Sequence, residues 1–109
     1  MTTGDPHHSK PFADRLARRG IAYLDSPMTG GATGARAGRL LLMVGGDRSV
    51  YSRCLPVLRR ISKRAIHVGP VGSGLAAKMI NQLFVGCGHA VMAEAIALAE
   101  SAGLDAARI

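Results

Sequence analysis

The chain has 109 residues, 48% of them hydrophobic and 19% charged, which is the composition of one small globular domain and not of a disordered segment. Its net charge of +7 would suit an anionic partner, but the basic residues cluster near predicted helix ends, which favours solvated side chains. Two Tyr, two Phe and no Trp leave little aromatic surface for stacking nucleic-acid bases. Cys54 and Cys87 lie 33 residues apart with no His at metal-ligand spacing, and the adjacent pair His7-His8 is more typical of solvated side chains, so we expect no disulfide framework and no metal site.

The N-terminal quarter is predicted to contain a helix and a strand. Asp5-Pro6 opens a predicted helix over residues 9–19, Gly20 ends it, and Ile21 to Leu24 follows as a short strand. A helix, a glycine and a strand form half of an α/β unit. The first residues have no apolar core of the signal-peptide kind, so we expect a cytoplasmic protein.

The middle of the chain continues this alternation. A loop of small residues over Gly30 to Gly38 leads into an apolar strand over residues 39–44. Asp47 is placed to cap a helix that ends near Ile61, and residues 65–68 are predicted as a third short strand. The pattern up to this point predicts an α/β fold.

A long helix is predicted from Ser73 to about Ala102, and no charged residue occurs in it from Met79 through Ala93. A helix that is apolar on every face is typical of a buried helix, and the rest of the chain is too small to cover it. We therefore expect cover from another subunit or from further protein. A membrane span is the alternative, but Asn81, Gln82 and His89 argue against it.

The first candidate site is Thr29-Gly30-Gly31, which follows a strand. A hydroxyl group and consecutive glycine N–H groups can hold a carboxylate, because no side chain blocks its approach. The alternative is a flexible connection whose glycines supply positive φ angles. The residues alone leave both interpretations open.

The second candidate site is Lys78, the only charged residue between Arg64 and Glu94. A desolvated amine beside a bound carbonyl or hydroxyl group can donate or accept a proton. Asn81 and Gln82 follow at helical spacing on the same face, where an amide could orient a substrate or hold the lysine. The alternative is a lysine whose stem lies along apolar surface while its amine reaches solvent.

These residues resemble the motifs of the β-hydroxyacid dehydrogenases, a family that includes 3-hydroxyisobutyrate dehydrogenase, tartronate semialdehyde reductase, L-threonate dehydrogenase and 6-phosphogluconate dehydrogenase. Asp25 to Gly46 is similar to the family's substrate motif, Asp-Ala-Pro-Val-Ser-Gly-Gly followed by small residues and Met-Val-Gly-Gly. Gly72 to Gln82 is similar to its catalytic motif, in which Gly-x-Gly precedes a lysine and an amide. The resemblance covers nearly the whole chain.

The resemblance implies a role for each candidate residue. Thr29, Gly30 and Gly31 would bind the substrate carboxylate, and Lys78 would be the general acid/base. Asn81 or Gln82 would orient the substrate, and the resemblance does not decide between the two amides. The substrate would be a small 3-hydroxy carboxylate or its semialdehyde.

The resemblance also implies NAD or NADP as cofactor, with Thr3 in a segment similar to the one that lines the nicotinamide end. Residues 1–70 would be the C-terminal part of a Rossmann-type domain, with about three short strands and two helices. Residues 71–109 would supply the first long helix of an all-α C-terminal domain. The Gly-x-Gly-x-x-Gly turn that holds the dinucleotide pyrophosphate has no counterpart here, so we expect an internal fragment that is inactive alone.

An alternative function is a non-catalytic oligomerisation or interaction module built from a dehydrogenase remnant. Its long apolar helix would pair with a like subunit or with a full-length relative. A basic nucleic-acid-binding domain is a third possibility that lacks any recognition motif. The dehydrogenase hypothesis implies a small carboxylate as substrate, and the apolar helix implies a protein subunit as partner. We expect neither nucleic acid nor a membrane as a partner.

Overall fold

The structure is a computed structural model that describes residues 4–108. The chain divides into two compact units, one up to residue 79 and one from residue 80 onward. The elements follow in the order α1 (Pro6–Ala17), β1 (Leu24–Asp25), β2 (Met28–Thr29), α2 (Gly31–Arg36), β3 (Leu40–Gly46), α3 (Arg48–Ile61), β4 (Ser62–Gly69), α4 (Ser73–Ser101) and a 3-10 helix (Ala106–Arg108).

The sheet is organised around β3. β1 and β2 both pair antiparallel with it along one side, with Leu24 opposite Gly46 and Thr29 opposite Leu41. β4 pairs parallel with it along the other side. A parallel pair needs a crossover connection, and α3 supplies it, so β3, α3 and β4 form a β-α-β unit.

The core of the first unit is built on β3. Leu42 and Val44 are fully buried and Leu40 is nearly so. The Tyr51 hydroxyl donates a hydrogen bond of 2.9 Å to the Ala65 carbonyl oxygen, which ties α3 to β4. The half-buried residues packed on this core are Leu24, Met28, Tyr51, Leu58 and Ala65. The apolar strand predicted from the sequence is thus the centre of the fold, and the α/β class is confirmed.

α1 begins three residues earlier than predicted. The Asp5 carboxylate accepts a hydrogen bond of 2.8 Å from the His7 backbone N–H, so Asp5 is the N-cap and Pro6 the first helical residue. Gly20, with a φ of 70°, follows the helix as expected. The cap residue therefore sets the start of the helix.

The predicted strand over residues 21–24 is displaced toward the C-terminus. Ile21 is exposed and its backbone N–H donates to the Leu16 carbonyl oxygen, which closes the end of α1. β1 instead comprises Leu24 and Asp25, because Asp25 pairs with Gly45 of β3. The apolar residues after Gly20 predict a strand but do not indicate which residues pair with β3.

The predicted loop over residues 30–38 contains α2, a helix of six residues. Its residues are small, and the Gly34 N–H donates to the Gly30 carbonyl oxygen at 2.9 Å. β2, which has only two residues, was not predicted because so short a strand shows no alternation of polar and apolar side chains. The prediction of an irregular loop is therefore wrong at its centre.

Both later strands are longer than predicted. β3 includes Gly45 and Gly46, which were expected to end it, because these glycines pair with β1. β4 spans Ser62–Gly69, and its buried first residue is followed by the exposed side chains of Lys63 and Arg64. Charged residues are common on edge strands, where they discourage pairing with other chains.

α3 is capped as predicted. The Asp47 carboxylate accepts hydrogen bonds from the backbone N–H groups of Ser49 (2.8 Å) and Val50 (3.1 Å). It also accepts a hydrogen bond from the Ser49 hydroxyl. These bonds lower the pKa of Asp47, the Ser49 hydroxyl contributing most, because they stabilise the charged form.

α4 has 29 residues and is about 43 Å long at ~1.5 Å per residue. Its N-terminal turn contains the buried Leu75, whereas the second unit exposes large apolar side chains, including Phe84 (75% exposed) and Leu98 (71%). By length and hydropathy α4 could cross a membrane, a test that core helices of soluble proteins also pass. The sequence predicted a buried helix, but the apolar side chains of α4 in the second unit are exposed. The predicted domain boundary after residue 70 stays a prediction.

Candidate functional site

The Asp25 carboxylate joins the sheet to the first turn of α4. Asp25 is 3% exposed, at the end of β1. One of its oxygens accepts a hydrogen bond from the Gly72 N–H (2.7 Å), and the other accepts one from the Leu75 N–H (2.9 Å). A carboxylate is favourable there because the N-terminal N–H groups of a helix carry partial positive charge.

Two glycines make this junction tight. A Cβ atom on Gly45 would lie 2.6 Å and 2.8 Å from the two carboxylate oxygens of Asp25, and 2.8 Å from the Gly74 nitrogen. A Cβ atom on Gly74 would lie 2.5 Å from the Met43 carbonyl oxygen. β1, β3 and α4 therefore meet at a point that leaves no room for side chains at positions 45 and 74.

The predicted carboxylate-binding residues lie just beyond this junction. Thr29 ends β2 and is half-buried, and Gly30 and Gly31 are exposed, with φ angles of 123° and 60°. Both angles lie in the region that favours glycine. Apart from its chain neighbours and the backbone of α2, no described heavy atom lies within 4 Å of the position a Cβ atom would take on Gly31. The turn is therefore open to a ligand. Its positive φ angles also agree with the alternative, in which the glycines serve only to connect two elements.

Lys78, Asn81 and Gln82 all lie in α4, so the helical spacing predicted from the sequence is present. Lys78 is half-buried in the first unit, one turn after Leu75. Asn81 and Gln82 belong to the second unit, where Asn81 is half-buried and Gln82 exposed. The side-chain oxygen of Asn81 is buried and has no hydrogen-bond partner among the described residues.

The first unit also has two grooves, the first of which is lined in part by Asp25 and Leu75 of the junction between the sheet and α4. This first groove, of about 690 Å³, runs between α1 and β1 and is also lined by residues that include Phe12, Tyr23 and Ser26. The other, of about 540 Å³, lies between α1 and the start of α4. Neither is lined by the Thr29 turn or by Lys78, so contact between these two stays a prediction.

Among the described residues, the N-termini of α1, α3 and α4 do not fit the pyrophosphate of a dinucleotide, whereas the N-terminus of α2 at Gly30 has no side-chain cap. Such phosphates bind at helix N-termini that are open to the ligand. Here an aspartate of the chain itself, Asp5, Asp25 or Asp47, accepts hydrogen bonds from the first N–H groups of α1, α4 and α3 respectively. Thr3, the predicted nicotinamide contact, lies outside the described residues.

Asp25 is the residue that the sequence analysis left without a role. It stands in the segment similar to the family's substrate motif, but its hydrogen-bond donors lie 47 and 50 residues away. The available signal was the close spacing of Gly72 and Gly74 at the start of a helix, which permits another backbone to approach closely. This spacing predicts a close contact but does not identify Asp25 as the residue that makes it.

The chain is similar to NAD-binding oxidoreductases. Residues 1–69 match the family model described as the NAD binding domain of 6-phosphogluconate dehydrogenase. The chain is 41% identical over 104 residues to 2-(hydroxymethyl)glutarate dehydrogenase of Eubacterium barkeri, covering 95% of this chain and 35% of the relative. It is 38% identical over 109 residues to 2-hydroxy-3-oxopropionate reductase of Escherichia coli, covering 100% of this chain and 37% of the relative.

Solved structures agree in fold. The Mycobacterium tuberculosis 3-hydroxyisobutyrate dehydrogenase, solved with L-serine, has a TM-score of 0.90 and 37% identity, and the match covers 94% of this chain and 35% of that chain. Psf3 in complex with NADP+ has a TM-score of 0.85 and 29% identity, covering 94% of this chain and 36% of that chain. The chain thus spans little more than a third of the length of these relatives.

Proposed function

This chain belongs to the family represented by the NAD-binding domain of 6-phosphogluconate dehydrogenase, and on that premise we propose that it carries the substrate-binding and proton-transfer residues of a 3-hydroxyacid dehydrogenase. The family consists of NAD(P)-dependent oxidoreductases. The reaction proposed is oxidation of a small 3-hydroxy acid, or reduction of the corresponding semialdehyde. The observation that carries this proposal is the match over 94% of this chain to a 3-hydroxyisobutyrate dehydrogenase.

In this proposal the Thr29 turn binds the substrate carboxylate. The Thr29 hydroxyl and the N–H groups of Gly30 and Gly31 donate hydrogen bonds to it. The exposure of the two glycines and the open space beside Gly31 support this assignment. Backbone donors at positive-φ glycines hold an anion without a side chain in its path.

Lys78 transfers the proton. In the direction of reduction its Nζ atom donates a proton to the carbonyl oxygen of the semialdehyde, and in the direction of oxidation it accepts the proton of the hydroxyl group. The position of Lys78 supports this role, because its half-buried side chain follows the first turn of α4 in the first unit, which also contains the Thr29 turn.

Of the two candidate amides, we assign substrate orientation to Asn81. Its buried side-chain oxygen lacks a hydrogen-bond partner among the described residues, whereas Gln82 is exposed. A buried acceptor without a partner is unusual in folded proteins. The amide NH2 group of Asn81 can donate a hydrogen bond to the substrate oxygen, which leaves the hydroxyl proton of the substrate to Lys78.

The proposal places dinucleotide binding mainly in parts of the protein that these residues do not supply. Thr3 would contact the nicotinamide end, and the pyrophosphate would be held outside residues 4–108. We further propose a cytoplasmic location, since the relatives are metabolic dehydrogenases. Discrimination between NAD and NADP would rest with the same outside residues.

Titration of the full chain, followed by NMR, tests this function. We expect 3-hydroxyisobutyrate to bind about tenfold more tightly than isobutyrate, which lacks only the hydroxyl group, because a hydrogen bond to a charged group contributes about 1.5–3 kcal/mol. Lys78→Ala should abolish that preference. Lys63→Ala, which removes an exposed lysine of β4, should keep it. A preference that survives Lys78→Ala would contradict the assignment.

A second function is supported by the exposed side chains of the second unit. They include Leu83, Phe84, Val91, Met92 and Leu98. Apolar surface of this extent is uncommon on monomers and marks interaction sites. The corresponding proposal is a module that associates with a second copy of the chain or with a full-length relative.

A further inference from the structure

We propose that Asp25 is a positioning residue, which sets the distance between the Thr29 turn and Lys78. The inference rests on the proposed function, in which these two segments bind opposite ends of one substrate. Asp25 itself touches no substrate in this account. It acts by fixing the sheet against the helix that carries the lysine.

The hydrogen bonds of Asp25 join two segments that are far apart in sequence. Its two oxygens accept separately from the N–H groups of Gly72 and Leu75, at 2.7 Å and 2.9 Å. Since each oxygen has its own donor, rotation of the carboxylate would break at least one bond. The first turn of α4 is thereby held against the end of β1.

Each candidate segment is a short distance along the chain from this carboxylate. Thr29 is four residues after Asp25, and the stretch between is fixed by hydrogen bonds to β3, including one of 3.0 Å from the Met43 N–H to the Pro27 carbonyl oxygen. Lys78 is three residues after Leu75, a rise of about 4.5 Å along α4. The second connection is helical, and the first is a two-residue link, Ser26-Pro27, between two strands that both pair with β3.

The packing at Gly45 and Gly74 makes the distance sensitive to Asp25. The carboxylate lies so close to Gly45 that a Cβ atom there would be 2.6 Å from it. Close-packed contacts transmit small displacements and do not absorb them. Misplacement by about 1 Å is enough to impair a reaction that depends on the spacing of two groups.

A purely structural role is the alternative, and Asp47 provides the comparison. Asp47 also caps a helix, with hydrogen bonds from Ser49 and Val50, but α3 carries none of the candidate site residues. If Asp25 only stabilises the fold, replacing either aspartate should lower stability and leave ligand discrimination unchanged. If Asp25 is a positioning residue, replacing Asp25 lowers the discrimination between the two ligands, whereas replacing Asp47 does not.

The first test compares ligand pairs in Asp25→Asn and Asp47→Asn. Both variants of the full chain are titrated with 3-hydroxyisobutyrate and isobutyrate under conditions where circular dichroism shows them folded. Asp25→Asn should bring the two Kd values to within about twofold while isobutyrate still binds, because only the hydroxyl contact is misplaced. Asp47→Asn should keep the tenfold preference. If the Asp25→Asn chain also keeps the tenfold preference, the positioning role is wrong, but the proposed function is not contradicted.

The second test uses the unchanged chain, so it does not depend on the folding of a variant. Hydrogen exchange is measured at the Gly72 and Leu75 amides, which donate to Asp25, and at the Ser49 and Val50 amides, which donate to Asp47. Saturating 3-hydroxyisobutyrate should slow exchange at the first pair at least about threefold more than saturating isobutyrate does, since binding and junction are coupled.

The outcomes separate the two proposals. Equal slowing by both ligands overturns the positioning role, while the function remains supported if the hydroxy acid binds more tightly. Equal binding of both ligands by the unchanged chain overturns the proposed function and the positioning role with it. Slowing at the Ser49 and Val50 amides to the same degree would indicate general stabilisation and overturn the positioning role.

Discussion

Aspartate side chains accept hydrogen bonds at the start of each long helix of the described chain, but their surroundings differ. Asp5 and Asp47 are exposed and accept from residues two or three positions ahead. Asp25 is buried and accepts from residues in another segment. The first two therefore stabilise one helix each, whereas Asp25 stabilises the junction of a sheet and a helix.

Asp47 is expected to give a pH-dependent contribution to stability. Its hydrogen bonds, that from the Ser49 hydroxyl first, lower its pKa in the folded state. The stabilisation is therefore complete above the unfolded-state pKa of about 3.9 and is lost as the pH falls through the lower folded-state pKa. Asp47→Ala should lower Tm at pH 6, and the difference in Tm between the variant and the unsubstituted chain should shrink as the pH falls below both pKa values. A Tm difference independent of pH would contradict this account.

Gly45→Ala tests the tightness of the Asp25 junction. The new Cβ atom would lie 2.6 Å from the Asp25 carboxylate and 2.8 Å from the Gly74 nitrogen. We expect a loss of about 1–3 kcal/mol in the free energy of unfolding, measured by urea denaturation. Gly34→Ala is the control, because its Cβ atom would meet Leu40 at an ordinary 3.7 Å within a helix. Equal stability of the two variants would contradict a close approach at position 45.

At the scale of elements, the sequence predicted those whose signals are local. The apolar run of β3, the Asp47 cap of α3 and the extent of α4 were all readable from neighbouring residues. β1 and β2, by contrast, exist because two-residue segments pair with β3. Pairing is a tertiary property, so it displaced β1 and left β2 unpredicted.

The candidate site shows the same division. The Lys78 helix and the glycine conformations at positions 30 and 31 follow from spacing and residue type, and both are present. The Asp25 junction depends on contacts across 47 residues or more, which no local pattern encodes. Sequence therefore identified the candidate segments but not the contact that joins them.

The second unit is expected to associate. Its apolar side chains are exposed around α4, so the full chain should form dimers or larger assemblies in light scattering at micromolar concentration. Replacing both Leu83 and Phe84 with Glu should shift it toward monomer. Val57→Glu, at an exposed apolar position of α3, is the control and should leave the mass unchanged. A monodisperse monomer of the unsubstituted chain would contradict the expectation.

At the scale of the whole molecule, proton-transfer and substrate-binding candidates occur without a described site for the dinucleotide phosphates. The relatives are nearly three times as long as the matched stretch. Correct positioning of reactants contributes about 7–11 kcal/mol to lowering a barrier. A lysine and an anion-binding turn cannot replace that contribution, so catalysis is expected only when the nucleotide is held as well.

Turnover in a hybrid enzyme tests the central claim most directly. This chain would replace the matching 104 residues of the Eubacterium barkeri dehydrogenase, and NAD(P)H formation from 2-(hydroxymethyl)glutarate would be measured. We predict no turnover by the chain alone, turnover by the hybrid, and a loss of about 10²–10⁴-fold in kcat on Lys78→Ala, with Lys63→Ala unaffected. Turnover by the chain alone, or a Lys78→Ala hybrid as fast as the unsubstituted hybrid, would contradict the account.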